Sequence, residues 1–147
     1  MVLIAYSNMN FKRFGNKVVV RIDRGEEIVG TLKQLCKNLD IKLGTITGIG
    51  AVDKATIGLF DVKTKKYHSK ELRGDHEIAP LFGNVSMMGG EIYIHLHANL
   101  ANAEHKSFGG HLNSAFVSAT FEGVIDIIDG KIDREFDETV GLNLIKI

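Results

Sequence analysis

Apolar and polar positions change rhythm twice along this chain. Val2 to Tyr6 is a short apolar run, and Lys17-Val18-Val19-Val20-Arg21-Ile22 is rich in β-branched residues. The polar stretch Asn8 to Gly15 between them reads as the turn of a hairpin. From Gly25 to Leu39 the period lengthens: Ile28, Leu32, Leu35, Cys36 and Leu39 recur at the three- and four-residue spacing of one helical face. Asp23 stands where an N-cap is needed. Glu26 and Glu27 fall in the expected first turn and Lys33 and Lys37 towards the other end, each where the helix dipole favours its charge.

Beyond Gly44 the pattern becomes short β-rich runs: Thr45 to Ile49, Lys54 to Asp61, Tyr67 to Leu72, His76 to Met87, Glu91 to Leu100, Ala115 to Ile128 and Leu142 to Ile147. The gaps are hairpin-sized (Val62 to Lys65, Met88 to Gly90), and one long helix cannot supply the crossovers of a parallel sheet. The expected fold class is therefore α+β: one compact domain over residues 1–147, with a mostly antiparallel β-sheet and one principal α-helix. Pro80 cannot donate to a ladder and predicts an edge or a bulge.

Composition narrows the field. With 147 residues and 44% hydrophobic, the chain can bury a core without disulfides or structural metals. One cysteine, Cys36, and no basic segment leading into an apolar core at the start point to a cytoplasmic location, and no apolar run is long enough to span a bilayer. Lys+Arg and Asp+Glu balance at 18 each, which removes the general attraction of a basic protein for nucleic acid. The balance is local, however. Lys12, Arg13, Lys17, Arg21 and Arg24 make the N-terminal part basic, whereas Glu122 to Glu138 holds seven acids. Solvated or subunit-docking faces are one reading of this asymmetry; a nucleic-acid patch at Lys12, Arg13 and Lys17 is the other.

Several signatures of chemistry fail. Gly48-Ile49-Gly50 is followed by Asp53 and no helix, so it reads as strand-turn-strand rather than a dinucleotide loop; Gly130-Lys131 is no P-loop, and His76-Glu77 has no second histidine four residues on. Cys36, on the apolar helix face, reads as a structural thiol.

The constellation that survives is His95-Leu96-His97 on a strand, then a polar turn from Ala101 to Lys106, then Gly109-Gly110-His111. Residues two apart on a strand share a face, so His95 and His97 stand side by side. The Ala101 to Lys106 turn can bring the chain back as a neighbouring strand or loop, and Gly109-Gly110 allows unusual backbone angles and close approach, so that His111 can join the pair. Three neutral imidazoles with an open fourth position are a site for zinc, nickel, cobalt or iron. The alternative is that the histidines merely satisfy polar contacts in a structural oligomer. Glu104, Asn99 and Asn113 are near enough in sequence to supply a fourth ligand or a supporting contact, with Glu104 the candidate general base. His68, His76 and His105 lack partner spacing and are expected at the surface.

Arg21-Ile22-Asp23-Arg24-Gly25-Glu26-Glu27-Ile28, Gly48-Ile49-Gly50-Ala51-Val52, Leu81-Phe82-Gly83-Asn84-Val85, His95-Leu96-His97 and Gly109-Gly110-His111-Leu112 together resemble the PPC domain family, also called DUF296. The resemblance implies a compact antiparallel α/β domain, assembly as a homotrimer and, as in some stand-alone prokaryotic members, a metal on three histidines. Here those are His95, His97 and His111, with zinc the expected ion and a small anionic ligand the expected partner. It leaves open whether the chain is an enzyme, and no catalytic residue is assigned. Plant members carry AT-hooks and are labelled DNA-binding; no Arg-Gly-Arg-Pro core exists here, and the plant motif Gly-Arg-Phe-Glu-Ile-Leu is matched only as Asp75-His76-Glu77-Ile78-Ala79.

Overall fold

The computed structural model describes residues 9–147, so the expected Val2 to Tyr6 strand lies outside the described residues. The stretch read as a long turn is itself strand β1 (Met9–Phe14), joined to β2 (Lys17–Asp23) by the two residues Gly15 and Asn16. Asn, Lys and Arg on an exposed strand gave no apolar alternation to read. Strand β2 alternates cleanly: Val18, Val20 and Ile22 are buried while Lys17, Val19 and Arg21 face outward.

Helix α1 (Ile28–Asn38) buries Ile28, Thr31, Leu32, Leu35 and Cys36, the stripe that the periodicity predicts. Its cap is Glu27, not Asp23. The Glu27 carboxylate accepts from Val29 N at 3.0 Å and Gly30 N at 2.6 Å, and its Oε1 also accepts from Ala115 N at 3.0 Å, so one side chain caps the helix and ties it to the sheet. Asp23 is taken by Arg21 Nε at 2.9 Å. Glu26 and Glu27 consequently precede the helix rather than forming its first turn. Burial pushes the Cys36 thiol up to about 12, consistent with an inert structural cysteine.

The runs after Gly44 fuse into fewer, longer strands: β3 (Gly44–Asp61), β4 (Lys66–Met88), β5 (Glu91–Ala101) and β6 (Ser107–Ile127). The expected turn at Gly48-Ile49-Gly50 is a bulge inside a continuous strand, with a register shift between Gly48 and Gly50, and Pro80 sits at a bulge as predicted, with a register shift between Ile78 and Leu81. A bulge absorbs an irregular residue at less cost than a turn when both flanks are already paired. The sheet order is β1-β2-β6-β3-β4-β5, every pairing is antiparallel, and a further β5–β6 pairing links the far edge back to the middle. This is the α+β antiparallel fold that the sequence predicts. Strand β7 (Arg134–Asp137) pairs with β8 (Leu142–Ile145) as a separate hairpin; β8 falls in the expected Leu142 to Ile147 run, whereas β7 lies in what the sequence shows only as an acidic stretch.

One face of the sheet packs on α1 around Phe121, Leu32, Leu81, Leu96 and Leu100. The other face carries a lateral row that register alone defines: Val19 beside Val124, Val124 beside Thr47, Thr47 beside Phe82, and Phe82 beside His97.

Candidate metal centre

Strand β5 presents His95 and His97 on one face with Leu96 buried behind them, as the two-residue period requires. His111 comes from the start of β6, directly opposite His97 in the β5–β6 register. Gly109 and Gly110 are thus strand residues and not a turn. They serve by close approach: a Cβ on Gly110 would lie 2.7 Å from the Gly58 carbonyl oxygen, and one on Gly109 would run into the Asn99 side chain.

The three rings converge. Their ligand nitrogens lie within 4.8 Å of one another, and His95 Nε2 and His97 Nε2 are 3.2 Å apart. Two nitrogens bound at 2.0–2.1 Å to one tetrahedral zinc would be about 3.3 Å apart, so this pair already stands at chelating separation. Burial is the first cause that lowers His95, to about 4, helped by the charges of His111, Arg134 and His97; burial and then His97 lower His111. Both imidazoles are therefore neutral at pH 7, the form that ligates a metal. The donor set fits a divalent ion of the zinc class.

The same shift gives a prediction for the metal-free protein. A depressed folded-state value means that the unfolded chain binds more protons below pH 6.5, so stability is intact above 6.5 and is lost as the pH falls towards 4. Urea unfolding at pH 7 and pH 4.5 should show a drop that is smaller in His95→Asn; an equal drop would contradict it.

Around the histidines is a pocket of about 500 Å³. Its walls include Tyr67, Tyr93 and Phe60, and Leu142, Asn143 and Leu144 of β8 close one side. Arg134, only 9% exposed, holds this hairpin in place: Nε donates to Ser86 Oγ at 2.7 Å, one terminal nitrogen to Asn84 Oδ1 at 2.8 Å and the other to the Asn143 carbonyl at 2.9 Å. Its guanidinium carbon lies 4.8 Å from the Tyr93 ring centroid. Sequence reasoning missed Arg134 because it sits among acids in a four-residue strand with no apolar alternation.

Other expectations are corrected. Glu104 is in the β5–β6 turn, paired with Lys106 at 2.6 Å and lining a different cleft, so it is no general base for this pocket. Asn113 accepts from the hydroxyl of Tyr67, a pocket wall, at 2.6 Å and so makes a supporting contact to the site. His68 and His105 are exposed as expected, but His76 is buried, its Nδ1–H donating to the Gly74 carbonyl at 2.7 Å. In the basic stretch, Lys17 pairs with Asp126 of β6 at 2.6 Å, Arg13 donates to the Gly15 carbonyl and Lys12 lies over the Phe14 ring. Part of the basic-acidic complementarity is thus satisfied within one chain.

Fold and site together define a class: a small antiparallel α+β domain with an open three-histidine pocket. The chain belongs to the Plants and Prokaryotes Conserved (PCC) domain family, whose model matches residues 9–129. It is similar to the crystal structure of a protein from Bacteroides thetaiotaomicron provisionally called DNA-binding, with 36% identity, 94% of this chain and 96% of that chain covered, and a TM-score of 0.92. A metal-containing protein from Archaeoglobus fulgidus is similar at 34% identity, covering 94% and 99% of the two chains, with a TM-score of 0.84. A plant- and prokaryote-conserved (PPC) protein from Pyrococcus horikoshii is similar at 32% identity, covering 95% and 94%, with a TM-score of 0.82. A comparison with curated proteins finds no match.

Proposed function

We propose that this chain is a stand-alone PPC-type protein that holds a divalent metal, zinc first, on His95, His97 and His111 and binds a small anionic ligand beside it. The observation that carries this reading is the convergence of three imidazoles, two of them at chelating distance, in one pocket. The similarity to the metal-containing Archaeoglobus protein supports it. Bound there, such a metal would act as a Lewis acid and lower the pKa of a bound water to about 7. The chain's own contribution is to fix His95 and His97 on one rigid strand, to add His111 from its neighbour, and to shield the pocket with the β7–β8 hairpin. Among the described residues no carboxylate lines this pocket, so binding is favoured over turnover.

The reading includes a homotrimer and a cytoplasmic location. Exposed apolar residues on one sheet face support self-association: Ile49 is 61% and Phe82 56% exposed, and Phe82 is the cross-strand neighbour of His97. A subunit covering that row would reach the edge of the histidine pocket. A single buried thiol suits a reducing compartment, and no helix among the described residues is long and apolar enough to cross a membrane. We extend the domain to residue 147 because Arg134 ties β7–β8 to β4 and β8 walls the pocket.

A second reading, DNA binding through the β1–β2 hairpin, is favoured by exposed Lys12 and Arg13 beside exposed Phe11 and Phe14, and by the provisional description of the Bacteroides protein. Lys17 contributes less charge to it, because Asp126 already neutralises it.

Elemental analysis of protein purified without chelating resin decides the main reading. About one divalent ion per chain is expected, absent from the His95→Ala/His97→Ala variant. Metal-free wild-type protein that also fails to take up added zinc would overturn it.

A further inference from the structure

We propose that Arg134 is the ligand-selecting residue of the histidine pocket: it pairs the carboxylate of a small organic acid whose apolar body lies against Phe60, Leu142 and Leu144. This deepens the anionic-ligand part of the proposed function and does not depend on a bound metal.

The argument starts from the cost of a buried charge. Arg134 is 91% withdrawn from solvent, and a guanidinium in that position is stable only when its donors are satisfied and its charge is answered. Three of its five N–H donors meet Ser86, Asn84 and the Asn143 carbonyl, all neutral acceptors. No carboxylate lies within 4.0 Å of it among the described residues. The charges of its two sequence neighbours act on Lys146: Glu135 pairs with that lysine at 2.8 Å, and Asp133 adds its charge to the same group. The guanidinium is accordingly a buried cation without a protein counter-ion, with two donors left over, and it lines the pocket.

Its surroundings indicate which anion. A guanidinium offers parallel N–H bonds to a planar carboxylate, and the Tyr93 ring and the bonds to β4 hold its plane fixed. The remaining walls are mainly aromatic and aliphatic, and a volume of about 500 Å³ admits a small molecule and not a polymer chain. Anions of high charge density such as inorganic phosphate would leave those apolar walls unused. A carboxylate with a short hydrocarbon body uses both parts. A purely structural Arg134, clamping β7–β8 to β4, would explain the three bonds but neither the missing counter-ion nor the position at the pocket wall.

The test compares isosteres. Calorimetric titration of chelator-treated wild-type protein with hexanoate, hexanamide and hexylamine measures the preference for negative charge when no metal can supply it. Hexanoate is expected to bind at least tenfold more tightly than hexanamide, with hexylamine weakest, and inorganic phosphate should not compete. Arg134→Met, checked for folding by circular dichroism, is expected to erase the difference between hexanoate and hexanamide. Equal binding of the acid and the amide, no binding of either, competition by phosphate at hexanoate's affinity, or a folded Arg134→Met that keeps the preference would each overturn the proposal. If that variant does not fold, the wild-type series still decides. Absence of metal by elemental analysis would remove the metal reading and leave this test untouched.

Discussion

His111→Ala is expected to weaken metal binding a hundredfold or more while leaving the unfolding midpoint of the metal-free protein nearly unchanged. The two halves of that expectation come from different features. His95 and His97 are neighbours on one strand and would remain a two-nitrogen chelate, but only His111 brings a donor from β6. Losing a supporting contact to a ligand already costs roughly 10–100-fold in affinity, and losing the ligand itself costs more. The fold, by contrast, asks little of the ring. The His111 ring is half-buried, makes no hydrogen bond to the described residues, and meets Tyr67 edge-on at 6.4 Å between centroids, with only the His95 and His97 rings nearer at 5.2 and 5.7 Å. The backbone of residue 111 keeps its pairing with Gly58 and His97 whatever side chain it carries. Zinc competition with a chromogenic chelator, run beside urea unfolding, checks both. Affinity that is unchanged in His111→Ala would mean that the ring is a bystander.

The degree to which this site was legible in the sequence follows from the kind of signal each part leaves. His95 and His97 declare themselves, because strand period fixes their common face with no knowledge of the rest. His111 depends on how the chain returns after the Ala101 to Lys106 turn, as a neighbouring strand or as a loop; the structure gives the strand, in register with His97, with Gly109 and Gly110 serving by close approach. The helix was readable because its stripe of Ile28, Leu32, Leu35 and Cys36 is a local period. Its cap was not, because Glu27 is held as much by Ala115 of β6 as by the helix it caps. Arg134 lies at the far limit. Nothing near it in sequence marks it, and its importance comes from Asn84 and Ser86, about fifty residues away on another strand. Long-range pairing decides what a polar residue does here, while local period decides where an apolar one goes.

Charge balance shows the same division. Equal totals of acid and base excluded a generally basic protein, and the asymmetry along the chain left subunit docking and DNA as alternatives. Antiparallel pairing of β2 with β6 sets the two stretches side by side within one chain, with Lys17 opposite Asp126 and Arg21 opposite Glu122. Exposed pairs of this type contribute little stability. Their effect is to lower the positive potential of the sheet beside the hairpin, leaving Lys12 and Arg13 as its remaining positive charges among Lys12, Arg13 and Lys17.

Gly83→Ala is expected to be the most damaging small substitution near the site, costing about 2–4 kcal/mol of stability and a large part of the metal affinity together. Gly83 pairs with Leu96, the residue between the two chelating histidines, and with Ile46 on the other side. A Cβ at this position would run into the His95 carbonyl oxygen and would lie 2.8 Å from Leu96 Cα and from Leu96 Cδ2. Two of those three atoms are backbone, so no rotamer change relieves the contact; β5 must move away from β4. Leu96 is buried in the core, which resists the movement and sets the loss of stability. The movement that does occur shifts His95 and His97 relative to His111, whose place is set by β3 and β6, and the pair at 3.2 Å no longer faces the third ring. Loss of stability and loss of zinc affinity should therefore appear in the same variant, whereas His111→Ala separates them. A Gly83→Ala protein as stable as wild type, with unaltered zinc affinity, would show that β4 and β5 have room that the geometry denies.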